Sequence, residues 1–159
     1  MKLKKGDCFP NVKLFRLNDG SPEKISSADL FNKKKIVLVG VPGAFTPTCT
    51  NEHLPGYIKH FDSFKSKGID DVYFISVNDP FVMQKWGDSV EKNDLKFLAD
   101  SDGEFMSSSG LMTDLSAAGL GKRLSRFSML VDNGLIKEIL DENGPGLEKS
   151  TAEILLENI

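Results

Sequence analysis

The sequence predicts one α/β domain over residues 1–159: a mixed central sheet with helices on both faces and an N-terminal strand or hairpin extension. Three observations carry that reading. Two β-branched apolar runs, Ile36–Val41 and Val72–Val77, have the continuous hydrophobicity of central strands covered on both sides. Each is followed by a segment with helical spacing, the order that produces parallel strands. Near the end, Asp132-Asn133-Gly134 separates two further apolar runs, and Asn-Gly in that setting is the strongest short hairpin signal.

The elements follow in order. Val12–Leu17 alternates weakly and runs into the turn cluster Asn18-Asp19-Gly20-Ser21-Pro22, which gives the N-terminal strand or hairpin. Ser27–Phe31 forms one helical turn. Pro42 and Gly43 end the first central strand. From Thr48 to about Lys67, Leu54, Tyr57, Ile58, Phe61 and Phe64 recur at helical spacing. Pro55 lacks a backbone donor, so a kink is expected there, and Gly68 is the stop. The second central strand ends at Asn78-Asp79-Pro80. A helix from Pro80 to about Glu91 comes next, with proline in the favoured first turn. Phe97–Ala99 is a short strand, Gly103–Ser107 a helical turn, Arg126–Val131 and Leu135–Leu140 the hairpin, and Ser150–Asn158 a final helix. That order is compatible with a thioredoxin-like α/β domain.

Composition narrows the function. The 159 residues are 40% hydrophobic and 27% charged, enough for a core without cross-links. No apolar stretch reaches the ~18 residues of a membrane span. A net charge of -3 argues against a nucleic-acid partner, and no membrane partner is expected. Cys8 and Cys49 are too few for a disulfide scaffold or a structural zinc site. With His53 and His60 they make four candidate ligands but no recognised spacing, so neither metal nor cofactor is expected. Such sparse use suits a reducing compartment, where a cysteine matters by its reactivity. Met1-Lys2-Leu3-Lys4-Lys5 lacks the apolar run of a secretory leader. The expected location is the cytoplasm, or a mitochondrion or plastid for a chain whose transit peptide has been removed.

The segment that carries chemistry is Val41-Pro42-Gly43-Ala44-Phe45-Thr46-Pro47-Thr48-Cys49-Thr50. It joins a central strand to a long helix, where open α/β sheets place their sites. Cys49 falls in the first helical turn, whose free N–H groups and positive dipole end favour a thiolate. Thr46 or Thr48 is placed to cap the helix, and Thr46 can also set a hydroxyl beside the sulfur.

At this point the chain resembles the peroxiredoxin family. Pro42-x-x-x-Thr46-x-x-Cys49 matches that family's active-site signature, and Pro-Gly-Ala-Phe-Thr-Pro-Thr-Cys is similar to the peroxiredoxin-5 type, or type II, subgroup. The likeness continues through His53-Leu54-Pro55-Gly56, Ser76-Val77-Asn78-Asp79, Phe81-Val82 with Trp86, Leu98-Ala99-Asp100 and Arg126-Phe127-Ser128-Met129. The resemblance implies a thiol-dependent peroxidase with Cys49 as the nucleophile that becomes a sulfenic acid. It implies that Thr46 and Arg126 orient thiolate and peroxide and that Pro42 shields the pocket. Physical chemistry supplies the need for such parts. At pH 7 a free thiol of pKa ~8.5 is about 3% ionised, so complete ionisation gains only ~30-fold. Nucleophilicity also falls with pKa. Fast peroxide reduction therefore requires donors such as Arg126 and backbone amides where charge develops on the leaving oxygen.

Some relatives of the peroxiredoxin-5 type carry a resolving cysteine shortly after a Gly-Leu near the C-terminus. Here Gly146-Leu147-Glu148-Lys149-Ser150 has none. The expected cycle is a one-cysteine cycle in which an external thiol, glutathione with glutaredoxin, or thioredoxin, clears the sulfenate. The substrates are hydrogen peroxide and small alkyl hydroperoxides. The alternative is a peroxide-sensing regulator that uses the same cysteine. A thioredoxin-type oxidoreductase fails because no cysteine lies three residues from Cys49. The resemblance also implies a homodimer, with Phe45 and Phe81 as contact candidates. Cys8 reads as incidental, and Lys122 and Arg123 read as surface charges. Trp86 and Phe81 read as packing residues, with an interface role as the sharper alternative. His53, on the helical face of Cys49, is read as solvent- or dimer-facing; a contribution to positive potential is opposed by Glu52.

Overall fold

The β-branched runs become the middle of the sheet in this computed structural model, which describes residues 2–159. Strand β3 (Lys35–Gly40) pairs in parallel with β4 (Asp71–Ser76), and β4 in parallel with β5 (Lys96–Ala99). Strands β1 (Lys13–Asn18) and β2 (Ser21–Ser26) form an antiparallel hairpin that extends this sheet through β1 beside β5. On the other side β8 (Phe127–Asp132) lies antiparallel to β3, and β9 (Leu135–Asp141) closes the order β2-β1-β5-β4-β3-β8-β9. Both hairpins turn through residue pairs at positive φ, Asp19-Gly20 (51° and 82°) and Asn133-Gly134 (47° and 83°). Such turns match the twist of the strands they join.

Strand alternation divides the core into two layers. Val37, Val39, Val72, Phe74 and Leu130 face one side, with Cys49, Tyr57, Phe64 and Trp86. Ile36, Leu38, Tyr73, Ile75, Phe127 and Met129 face the other, with Phe31 and Phe105. The second layer is covered by α1 (Ser27–Leu30) and α5 (Glu104–Ser109). Gly40, the last residue of β3, is required by this packing: a Cβ there would lie 2.0 Å from the Phe127 ring.

The long helix expected from Thr48 to Lys67 is instead three pieces. A π-helical turn at Cys49–His53 leads into α2 (Leu54–Lys59), and α3 (Phe61–Ser66) follows a break at His60. Pro55 does not kink a continuous helix. It sits in the first turn of α2, where a missing N–H costs little, and the Leu54 N–H reaches back to the Cys49 carbonyl. At His60 the backbone leaves helical geometry (φ -99°, ψ 13°), yet Tyr57 and Phe64 stay stacked with ring centres 5.4 Å apart. The break keeps both aromatic faces on the sheet.

Helix α4 (Pro80–Asp88) stops short of Glu91, since the Ser89 N–H and hydroxyl turn back onto the Trp86 carbonyl. An unexpected small hairpin, β6 (Met112–Leu115) with β7 (Gly121–Leu124), forms its own two-stranded sheet. The last helix, α6 (Ala152–Glu157), starts where the Thr151 hydroxyl accepts from the Ile154 N–H. Among the described residues, no helix is long and apolar enough to cross a membrane.

Candidate active site

The loop after β3 is fixed from several directions. The Val41 N–H continues the sheet by donating to the Ile75 carbonyl at 3.0 Å. Arg123 of β7 donates from Nη1 to the Pro42 carbonyl at 3.0 Å. The Ala44 N–H donates to Asn78 Oδ1 at 3.0 Å, and Ser76 Oγ donates to the same oxygen. Pro42 is buried between these anchors. Phe45 adopts a φ of 65°, a conformation bulky residues rarely take, and its ring is 53% exposed.

Thr46 Oγ1 donates to the Gly43 carbonyl at 2.7 Å. Neither Thr46 nor Thr48 caps the helix as the sequence suggested, because Thr46 is committed to this tight turn and Thr48 already has helical dihedrals without a side-chain cap. With its proton held by Gly43, the Thr46 oxygen retains lone pairs that can accept from a hydroxyl.

Cys49 is buried in the π turn, and π turns recur at functional sites. Its Sγ accepts a hydrogen bond from Arg126 Nη2 at 3.1 Å. Arg126 lies just before β8 and, by alternation, on the Leu130 side of the sheet. It is 1% exposed, and every arm is held: Nη1 donates to His53 Nδ1 at 2.9 Å and Nε to the Pro145 carbonyl at 3.1 Å.

His53 faces neither solvent nor a partner, contrary to the sequence expectation. It is buried, and its Nε2 lies 2.8 Å from the Ser150 carbonyl, which also accepts from Tyr57 Oη at 2.9 Å. A carbonyl can only accept, so Nε2 carries the proton and Nδ1 is free to accept from Arg126. Burial, reinforced by the Arg126 charge, lowers the His53 pKa to about 3. The ring is therefore neutral and adds no positive potential; it anchors the guanidinium instead. The sign of the resulting pH dependence follows from linkage. Between the ordinary histidine value of 6.5 and about 3, the unfolded chain binds a proton here that the native state refuses, so native stability falls as pH falls through that window. His53→Gln should remove about 2 kcal/mol of the stability lost between neutral pH and about pH 5. Urea unfolding at both pH values checks this; an unchanged loss in the variant would contradict it.

The structure separates the two cysteines. Cys8 is exposed and bridges Leu135, whose partner Asp132 pairs with Lys35 at the start of β3. Cys49 follows the far end of that strand, roughly 17 Å of strand away, whereas bridged cysteines need Cα atoms about 4.4–6.8 Å apart. Trp86 is core as expected, and its indole N–H donates to Thr50 Oγ1 at 3.0 Å. Phe81 is not a packing residue: it is 55% exposed and lines an open groove with Phe45, Leu17 and Val82. Lys122 is exposed, but Arg123 is half-buried and tied to Pro42, so it is no free surface charge. Ser150 and Glu142 also act on the site without a sequence signal, because they serve it through backbone groups, whereas Asn78, which accepts from the Ala44 N–H, lies in the Ser76-Val77-Asn78-Asp79 motif.

The assembly presents a buried sulfur with a fixed cationic donor, a threonine oxygen three residues before it, and a loop held by backbone bonds. Such a site can stabilise negative charge on sulfur and on an oxygen bonded beside it. Among the described residues, no group of three His, Cys, Asp or Glu side chains could hold a metal ion.

The Redoxin family model matches residues 4–156. Peroxiredoxin-2C of Oryza sativa subsp. japonica is 44% identical over 153 residues, covering 95% of this chain and 94% of that protein. The crystal structure of reduced Prx3 from Vibrio vulnificus in complex with hydrogen peroxide superposes with a TM-score of 0.93 at 39% identity, covering 98% of each chain. The Plasmodium falciparum antioxidant protein, a 1-Cys peroxiredoxin, gives a TM-score of 0.92 at 32% identity, covering 99% of this chain and 100% of that one.

Proposed function

Because the chain belongs to the Redoxin family and is a peroxiredoxin, a thiol-dependent peroxidase, we propose that Cys49 reduces hydrogen peroxide and small alkyl hydroperoxides and is regenerated by an external thiol. The observation that carries this reading is the 3.1 Å hydrogen bond from the buried Arg126 Nη2 to Cys49 Sγ.

In the proposed first step the Cys49 thiolate attacks the distal peroxide oxygen. A sulfur–oxygen bond forms, the oxygen–oxygen bond breaks, and the leaving oxygen takes a proton to depart as water or an alcohol. Arg126 faces the sulfur and is positioned to stabilise charge as it moves onto oxygen. Thr46 Oγ1 accepts the peroxide hydroxyl, and Pro42 closes the pocket against water. The Vibrio vulnificus structure at 39% identity holds hydrogen peroxide, which supports the same substrate here.

In the second step a thiol such as glutathione condenses with the sulfenic acid, releasing water and leaving a mixed disulfide. A second thiol, or glutaredoxin or thioredoxin, restores Cys49. Support for this one-cysteine cycle is the placement of Cys8 at the opposite end of β3 and the cysteine-free segment Gly146–Ser150. The 1-Cys relative from Plasmodium falciparum fits the same scheme. The functional unit is one peroxiredoxin domain over 1–159, of the type II subgroup. It pairs as a homodimer through the exposed Phe45 and Phe81, a surface that sedimentation of Phe81→Asp tests by loss of the dimer.

Steady-state turnover decides the activity. Hydrogen peroxide and an organic hydroperoxide, each with glutathione/glutaredoxin and with thioredoxin, should be consumed over many equivalents per chain. Consumption of a single equivalent with every reductant would point to a regulator instead.

A further inference from the structure

The segment from Glu142 to Ser150 is folded around the arginine of the site. Backbone bonds tie it there: the Glu142 N–H donates to the Arg126 carbonyl at 2.9 Å, and the Arg126 N–H donates to the Gly144 carbonyl at 2.9 Å. With the bond from Arg126 Nε to the Pro145 carbonyl, the segment holds Arg126 by both main chain and side chain. Its far end, Ser150, supplies the carbonyl that fixes His53 and Tyr57.

One side chain closes this strap. Glu142 Oε2 accepts from the N–H groups of Glu148 (2.9 Å), Lys149 (2.7 Å) and Ser150 (2.7 Å), and from Ser150 Oγ (2.8 Å). Three consecutive backbone donors on one oxygen form an anion nest, here filled by the chain's own carboxylate. Burial pushes the Glu142 pKa up, but these hydrogen bonds outweigh it and hold the carboxyl below its usual range. Glu142 touches neither Cys49 nor the guanidinium. It fixes the Ser150 carbonyl, which fixes the His53 tautomer, which holds Arg126 Nη1 and so aims Nη2 at the sulfur.

We propose that Glu142 is a positioning residue for peroxide reduction, acting through the 142–150 strap and His53 to hold Arg126 in line with Cys49. The inference rests on the role proposed for Arg126. Glu142→Gln keeps the shape of the side chain but removes the charge that gathers four donors on one oxygen. Misplacing a group in an organised site by about 1 Å costs up to about 100-fold in rate.

The test measures the second-order rate constant for hydrogen peroxide and the rate of Cys49 alkylation by iodoacetamide, for Glu142→Gln alone and in an Arg126→Met background. In the wild-type background the peroxide rate should fall by about 10- to 100-fold, and alkylation, which places no charge on a leaving oxygen, by less. In the Arg126→Met background the same change should cost little further peroxide rate, because its route of action is gone. Ser150→Ala, which deletes one donor and keeps the Ser150 carbonyl, should show the same coupling with a smaller loss. An unchanged rate in the wild-type background, or an equal loss in both, overturns the proposal. If Arg126→Met slows peroxide reduction while Glu142→Gln does not, this inference alone falls. If Arg126→Met has no effect, the role given to Arg126 falls with it.

Discussion

Cys49→Ser is expected to abolish peroxide consumption while leaving the fold in place, and Cys8→Ser to leave consumption largely intact. Serine keeps the shape of the side chain but replaces a thiolate-forming nucleophile by a hydroxyl that stays protonated at neutral pH, and no base is hydrogen-bonded to it. The neighbouring His53 cannot supply that function, since its free nitrogen is occupied by Arg126. Cys8 sits at the other end of the sheet. Equal loss from both substitutions in a turnover assay would overturn the assignment of Cys49 as the sole nucleophile.

Arg126→Met should slow peroxide attack by about 10²- to 10³-fold, the effect of removing one fixed donor from a developing oxyanion. Stopped-flow reduction of hydrogen peroxide measures it directly, and an unchanged rate constant refutes the role. The sequence alone suggests little loss of fold, since an arginine at a strand end is ordinarily a solvated charge. Burial changes that expectation. Arg126 is 1% exposed, and its removal leaves the buried His53 Nδ1 without its donor. Each unsatisfied buried group costs about 1–3 kcal/mol. A lower urea midpoint should therefore accompany the rate loss, and kinetics belong at temperatures where far-UV circular dichroism shows the variant folded.

These two cases show where the sequence is informative. Ile36–Val41 and Val72–Val77 announce themselves by composition, and Asn133-Gly134 by turn chemistry, because central strands and tight hairpins constrain residue type. Cys49 is legible through the Pro-Gly–helix context around it. The hairpin β6–β7 is not legible: its strands are four residues long, mostly alternate between exposed and half-buried with only Leu124 reaching the core, and carry no β-branched run. The break at His60 is hidden because apolar spacing continues across it from Tyr57 to Phe64.

The polar half of the site was hidden for another reason. Arg123 serves the active loop at the Pro42 carbonyl, and Glu142 gathers the amides of residues 148–150 behind Arg126. A backbone group can be met by any residue the chain brings near it, so these partners leave no periodicity. The role of His53 is hidden for the same cause. Its position on the Cys49 face was visible, but the Ser150 carbonyl that fixes its tautomer lies 97 residues away in sequence.

The central claim is that the oxidised cysteine is resolved by an outside thiol, and intact mass under non-reducing conditions tests it most directly. One equivalent of hydrogen peroxide should give a chain heavier by one oxygen, trapped on Cys49 by a sulfenic-acid reagent. Adding glutathione should convert it to the mixed disulfide with loss of water. A chain lighter by two hydrogens, with Cys8 and Cys49 joined, would contradict the account.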